Sequence, residues 1–217
     1  MDTARLVIAT PERHAETDPP GRFGGVDGNA RLTGSVGAAL FVILAVEGIT
    51  LLQIHQLISW HVVLGMLLVP VVLLKSATTG YRFTRYYAGD AANTEKGPPP
   101  LVLRVTGPAL VVMTLALLGT GIALVALGRG AGHPYLVLHQ GSFFVWAALL
   151  AVHVLGHAQE TVTLSAADWR GRQASSLRRR GATSRVVALA AALVIGALLG
   201  VLSIGWVATW HHFHHLH

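Results

Sequence analysis

Four histidines lie inside long apolar stretches of this chain: His61, His139, His153 and His157. An ionisable or metal-binding side chain is costly within a membrane span, so by default it faces the interior of a helix bundle and marks function. The chemistry open to such an imidazole is metal ligation through one ring nitrogen while the other bonds a neighbour. Glu47 shares that apolar setting. A carboxylate there must be paired, protonated or near water.

Spacing organises the histidines. His139, Phe143, Trp146, Leu150, His153 and His157 recur at alternating intervals of four and three, which is one continuous face of a helix. From His139 to His153 the rise is about 21 Å at 1.5 Å per residue. One end of this face therefore offers an imidazole near one membrane surface and the other end offers two more near the opposite surface.

The elements that must position these residues are set by composition. Of the 217 residues 53% are hydrophobic and only 12% charged, about half the charge of an average soluble domain. The apolar residues fall in five blocks, over about 34–54, 57–75, 101–127, 135–157 and 186–210. Each is about the length that crosses a hydrocarbon core of about 30 Å. The fold class expected is all-α integral membrane with five transmembrane helices. There are no cysteines, which excludes disulfides, cysteine-ligated iron–sulfur clusters and covalent c-type haem attachment.

Charge placement gives a topology. Of the 16 Lys and Arg residues only Arg129 falls in the turn between the third and fourth blocks. The rest lie in the N-terminal tail, in the segment joining the fourth to the fifth block, or in the segment joining the second to the third and the block ends bordering it, where Lys75 and Arg104 stand. With five spans these regions share one side, which the positive-inside rule makes cytoplasmic; the N-terminus is then inside and the C-terminus outside. The pI of about 10.5 follows from this topology, and no nucleic-acid partner is expected. The first residues, rich in Pro, Gly, Asp and Arg, read as a disordered tail without a cleavable signal peptide. Tyr81, Phe83, Tyr86 and Tyr87, mixed with Arg82 and Arg85, suit an aromatic belt at the inner interface.

That topology puts His61 about one turn below the outer end of the second span and His139 about one turn below the outer end of the fourth. Haem b needs two axial imidazoles from different helices at one depth, and these two meet the requirement. Gly65 below His61 and Gly141 beside His139 would leave space for the macrocycle. Gly119 and Gly121 in the third span, and Gly34 and Gly37 in the first, permit close helix contact or room for a flat cofactor. His55 and His133, at span ends, read as interfacial residues. Glu47 admits two readings: a proton acceptor beside a quinol site near the outer haem, or a neutral acid bonded to a neighbouring helix. The C-terminal run, with His211, His214 and His215 among its imidazoles, can bind a transition metal weakly.

The run Trp60-His61-Val62-Val63-Leu64-Gly65, the segment from Lys75 to Tyr87, and Leu138-His139 followed by His153 and His157 resemble bacterial membrane cytochromes b. The nearest likeness is to the cytochrome b subunits of Ni-hydrogenases and formate dehydrogenases, and it covers roughly residues 34–160. The resemblance implies that the first four helices form a haem-binding bundle, with an outer haem on His61 and His139 and an inner haem using His153 or His157. It departs from the family at the cytoplasmic end of the first helix, which reads Arg31-Leu32-Thr33-Gly34-Ser35 and lacks the partner histidine; His14 is the remaining candidate, in the tail. One haem is therefore expected, with a second dependent on an unusual ligand. The expected organisation is a disordered cytoplasmic tail over 1–33, a cytochrome b-like four-helix bundle over 34–160, a basic cytoplasmic loop over 161–185, and a fifth transmembrane helix with a His-rich outer tail over 186–217.

The function expected is electron transfer by a b-type cytochrome in the plasma membrane of a bacterium, between membrane quinone and a redox partner protein. No nucleotide-binding loop or flavin motif is present, so the chain reads as an electron-transfer subunit of an oxidoreductase rather than a catalyst alone. The competing expectation is transition-metal binding or transport through the His-rich C-terminus.

Overall fold

A computed structural model describes residues 24–94, 101–131, 133–168 and 181–211. Its elements are α1 (Gly25–Leu52), α2 (Ile54–Tyr87), the short α3 (Ala91–Thr94), α4 (Leu101–Ala131), α5 (His133–Asp168) and α6 (Ala182–His211). Five helices are long and apolar enough to cross a membrane, each corresponding to one apolar block of the sequence. The chain is a multi-pass, all-helical membrane protein among its described residues.

The helices extend beyond the apolar blocks that announce them. α1 begins at Gly25, so the segment ahead of Gly34 is helical where a tail was expected. α2 continues through Tyr81, Arg82 and Arg85 to Tyr87, so the expected aromatic–basic loop is the last turns of a helix. Tyr, Arg and Phe carry no helix-breaking feature, and the helix stops where Gly89 takes φ 77°, with Arg85 paired to Asp90 across the turn. Phe83, Tyr86 and Tyr87 stack on one another there.

α1 and α2 form an antiparallel hairpin with only Gln53 between them. A one-residue connection leaves no freedom in register, so residues at similar distances from Gln53 meet. Pro70 lies inside α2 and Pro108 inside α4. α4 and α5 form the second hairpin, broken at Gly128, whose φ of 68° and ψ of −176° are open to glycine and strained for other residues.

The fifth span is not an appendage to a four-helix bundle. α6 packs closely against α2, with α1 on the same side, and the three make the buried core of Leu32, Val36, Val71 and Ala192. The reason is Gly196 and Gly200, four residues apart on α6. A Cβ at Gly196 would stand 2.5 Å from the carbonyl oxygen of Leu67, and one at Gly200 2.9 Å from that of Val63. Absent side chains let the backbones approach, the small-residue packing of membrane helices. α6 thus braces the segment of α2 that carries His61. α5 packs mainly on α4, and the α4–α5 pair meets the rest of the bundle more sparsely.

Candidate haem site

The two hairpins bring His61 and His139 together. Their ring centroids are 6.2 Å apart and the ring planes cross at 81°. The match in depth read from the sequence is thus a lateral match too: the rings come from α2 and α5, helices that otherwise pack little on each other.

Each ring is anchored through the same nitrogen. His61 Nδ1 lies 2.8 Å from Glu47 Oε1 and 3.2 Å from Thr50 Oγ1. His139 Nδ1 lies 3.1 Å from the carbonyl oxygen of Leu117 and 3.1 Å from Thr120 Oγ1. A carbonyl only accepts a hydrogen bond, so Nδ1 of His139 donates to Leu117. Both hydroxyls have spent their proton elsewhere: Thr50 donates to the Glu47 carbonyl at 2.6 Å, and Thr120 to that of Ala116 at 2.8 Å. In His139 the nitrogen left over is Nε2, and in His61 Nε2 is likewise the nitrogen that Glu47 and Thr50 do not touch. A histidine that donates Nδ1–H to a carboxylate or backbone carbonyl is the usual form of a metal-ligating histidine.

The local sequence explains how the anchors arise. Glu47 and Thr50 are one turn apart on α1 and share a face; the tight turn at Gln53 presents that face to His61. Leu117, Thr120 and Gly121 line the face of α4 that meets α5, and Leu117 is as far from Gly128 along one arm as His139 is along the other. Gly121 makes the contact: a Cβ there would be 3.2 Å from His139 Cε1, tight enough to displace the ring. One turn deeper, Trp146 Nε1 donates to Thr114 Oγ1 at 2.9 Å and locks the same two helices. Gly141 faces open space, and the Cβ position at Gly65 meets only Glu47 Oε1, at 3.9 Å.

His61 and His139, whose rings come from different helices and stand 6.2 Å apart, are the side chains that would hold a metal between two imidazoles. Among the described residues no group of three or more His, Cys, Asp or Glu is placed to hold a metal. A two-histidine site suits a metal that brings its remaining ligands with it, as haem does.

Glu47 is engaged rather than open. Its side chain is 13% exposed, Oε1 is bonded to His61, and Oε2 is buried without a hydrogen-bond partner among the described residues. Glu47 on α1 is bonded to His61 on α2, a contact that both sequence readings of this acid allow.

The inner half differs. His153 is half-buried on α5, near the level where Leu103 of α4 fills the space at Gly156. At the inner end of α1, where the resemblance asks for a histidine, Asn29 and Thr33 are buried. Asn29 Nδ2 donates to the Thr78 carbonyl at 3.0 Å, and Lys75 Nζ donates to that of Thr33 at 2.8 Å. Lys75 reaches Thr33 over Gly37, whose Cβ position is 3.2 Å from Nζ. These bonds clamp α1 to α2 at the ends away from Gln53. The side chain of His157 lies outside the described residues, as do that of His211 and all of His14, His214 and His215.

Sequence reasoning missed Thr50, Thr120 and the Leu117 carbonyl as anchors, and the brace of Gly196 and Gly200. The last was visible as a glycine pair at four-residue spacing in the fifth block. The anchors were not, because a backbone carbonyl carries no sequence signal. No family model, curated protein or solved structure matches this chain.

Proposed function

We propose that this protein is a membrane-embedded b-type cytochrome that holds one haem b between His61 and His139 and passes electrons between the membrane quinone pool and a redox partner protein. The observation that carries the reading is the pair of rings on separate helices, 6.2 Å apart, each bonded through Nδ1 with Nε2 left to ligate. The charge distribution supports a bacterial plasma-membrane orientation with the N-terminus inside, which puts this site in the outer half of the bilayer.

Haem held this way supplies one-electron exchange at a potential set by axial ligands, burial and hydrogen bonding. The chain's own residues do the rest. His61 and His139 ligate through Nε2; Leu117, Thr120, Glu47 and Thr50 hold the rings; Gly121 lets α4 approach; apolar flanks exclude water. Glu47, the carboxylate beside the site, is the proposed proton acceptor when a quinol is oxidised there. The partner protein supplies the other redox centre, since no nucleotide or flavin motif stands in the sequence.

The test is the purified full-length protein: a reduced-minus-oxidised spectrum with b-type bands and about one haem per chain is expected. A colourless protein that takes up no haem on reconstitution would end this reading and leave metal handling by the His-rich tail as its successor.

A further inference from the structure

The two candidate ligands belong to two separately packed halves of the molecule. His61 is held by Glu47 and Thr50 of α1, and α6 is locked onto the same α2 at Gly196 and Gly200. His139 is held by Leu117 and Thr120 of α4. The α4–α5 pair is pinned again where Trp146 bonds Thr114 and where Leu103 fills the space at Gly156. Among the described residues neither ring is hydrogen-bonded to the other half. We infer that the site is split along the seam between these halves: the α4–α5 hairpin docks on α1, α2 and α6 as a unit, and ligation of one haem by His61 and His139 closes it. This rests on the haem reading above.

The seam is packed differently from the halves it joins. The buried core of Leu32, Val36, Val71 and Ala192 comes wholly from α1, α2 and α6. In the most apolar stretch of those three spans 17%, 17% and 22% of the residues are buried, against 6% in α4 and 0% in α5. Membrane helices associate through close backbone contact at small residues. Among the described glycines, those that another helix approaches within 4 Å are Gly37, Gly65, Gly121, Gly156, Gly196 and Gly200, and each meets a partner in its own half. Gly107 and Gly119 of α4 and Gly141 of α5 meet nothing at that distance. An interface with few buried contacts separates at lower cost than one that is closely packed.

At the level of the site the ring pair spans the seam, 6.2 Å apart and edge to face. Only the docked arrangement offers both rings to one metal. Haem therefore binds the docked state better than the open one and shifts the balance toward it. The open seam is also a sideways route from the bilayer for a flat apolar cofactor, one that leaves the packing within each half intact.

Spin labels in the full-length protein in lipid nanodiscs test this. The chain has no cysteines, so introduced ones are labelled alone. Leu202→Cys on α6 with Val145→Cys on α5 reports across the seam, and Leu202→Cys with Leu73→Cys on α2 reports within one half; all three positions are exposed. Without haem the cross-seam distances should be broadly spread, and added haem should narrow them to a single value. The within-half pair should be narrow in both states. With His61→Ala, added haem should leave the cross-seam spread unchanged. A cross-seam distance already single and narrow without haem overturns the inference and leaves the haem site standing, and so does haem-induced narrowing that persists in His61→Ala. If the labelled proteins do not fold, hydrogen exchange on the wild-type chain decides: added haem should slow exchange more in α4 and α5 than in α1 and α6, and an equal effect on all four helices overturns the inference. A wild-type protein that takes up no haem removes both claims.

Discussion

The half of this bundle around Gln53 and Gly128, outer in the orientation proposed above, and the opposite half, inner in that orientation, are built from similar parts and do different things with them. Each half has a histidine on the same face of α5, His139 outside and His153 inside, and each has polar residues where α1 meets α2. In the outer half those polar residues, Glu47 and Thr50, turn toward a second histidine and hold it. In the inner half Asn29, Thr33, Lys75 and Thr78 bond to backbone and one another across α1 and α2. The first set bonds an imidazole and leaves Glu47 Oε2 buried without a partner among the described residues; the second bonds carbonyls that close the interface. The comparison teaches that polar residues at one helix interface can be used to hold a side chain of the neighbouring helix or to close the interface itself.

Ligand removal breaks the comparison most directly. His61→Ala or His139→Ala should abolish the haem bands, while His153→Ala should keep them at full intensity in the same spectrum. Loss of half the haem in His153→Ala would show that the inner half also holds a cofactor.

Next in size is Gly121→Val. With a β-carbon at 3.2 Å from His139 Cε1, the ring must shift, and even a 1 Å misplacement is enough to spoil a site that depends on geometry. Haem stoichiometry should fall well below one per chain while the helix content measured by circular dichroism stays the same. Gly119→Val, where a β-carbon meets nothing within 4 Å, is the matched control and should bind normally.

The brace behind His61 gives a stability effect. Gly196→Val would put a side chain against the Leu67 carbonyl, and overpacking of this kind costs about 1–3 kcal/mol. A lower thermal midpoint in detergent is expected, with haem loss following unfolding rather than preceding it. The smallest effect belongs to the inner clamp: Asn29→Ala removes one interhelical hydrogen bond, worth about 0.6 kcal/mol in membrane bundles. A slight fall in the same midpoint with unchanged haem bands would confirm that the inner polar set is structural.

Much of this was legible in the sequence because it depends on composition and period. The five spans follow from hydrocarbon length, and each appears as a helix. The stripe from His139 to His157 follows from the 3.6-residue repeat, and the depth match of His61 with His139 from counting residues inward from two outer turns. Ends were read less well: α2 runs to Tyr87 because helix propensity and the Arg85–Asp90 pair carry it beyond the apolar block. The packing of the fifth helix was not read at all, since the likeness to four-helix cytochromes spoke only for residues 34–160, and Gly196 and Gly200 tie α6 to α2.

The amino-acid sequence by itself determined that the chain is a five-span membrane protein and which imidazoles lie within its spans. Hydropathy and helical period are properties of consecutive residues, so they can be read without knowing what touches what. Only the tertiary structure decided that His61 and His139 meet and that Glu47 and Thr50 reach His61. Those outcomes turn on which helices pack side by side and on backbone carbonyls such as that of Leu117, and neither is written in residue type.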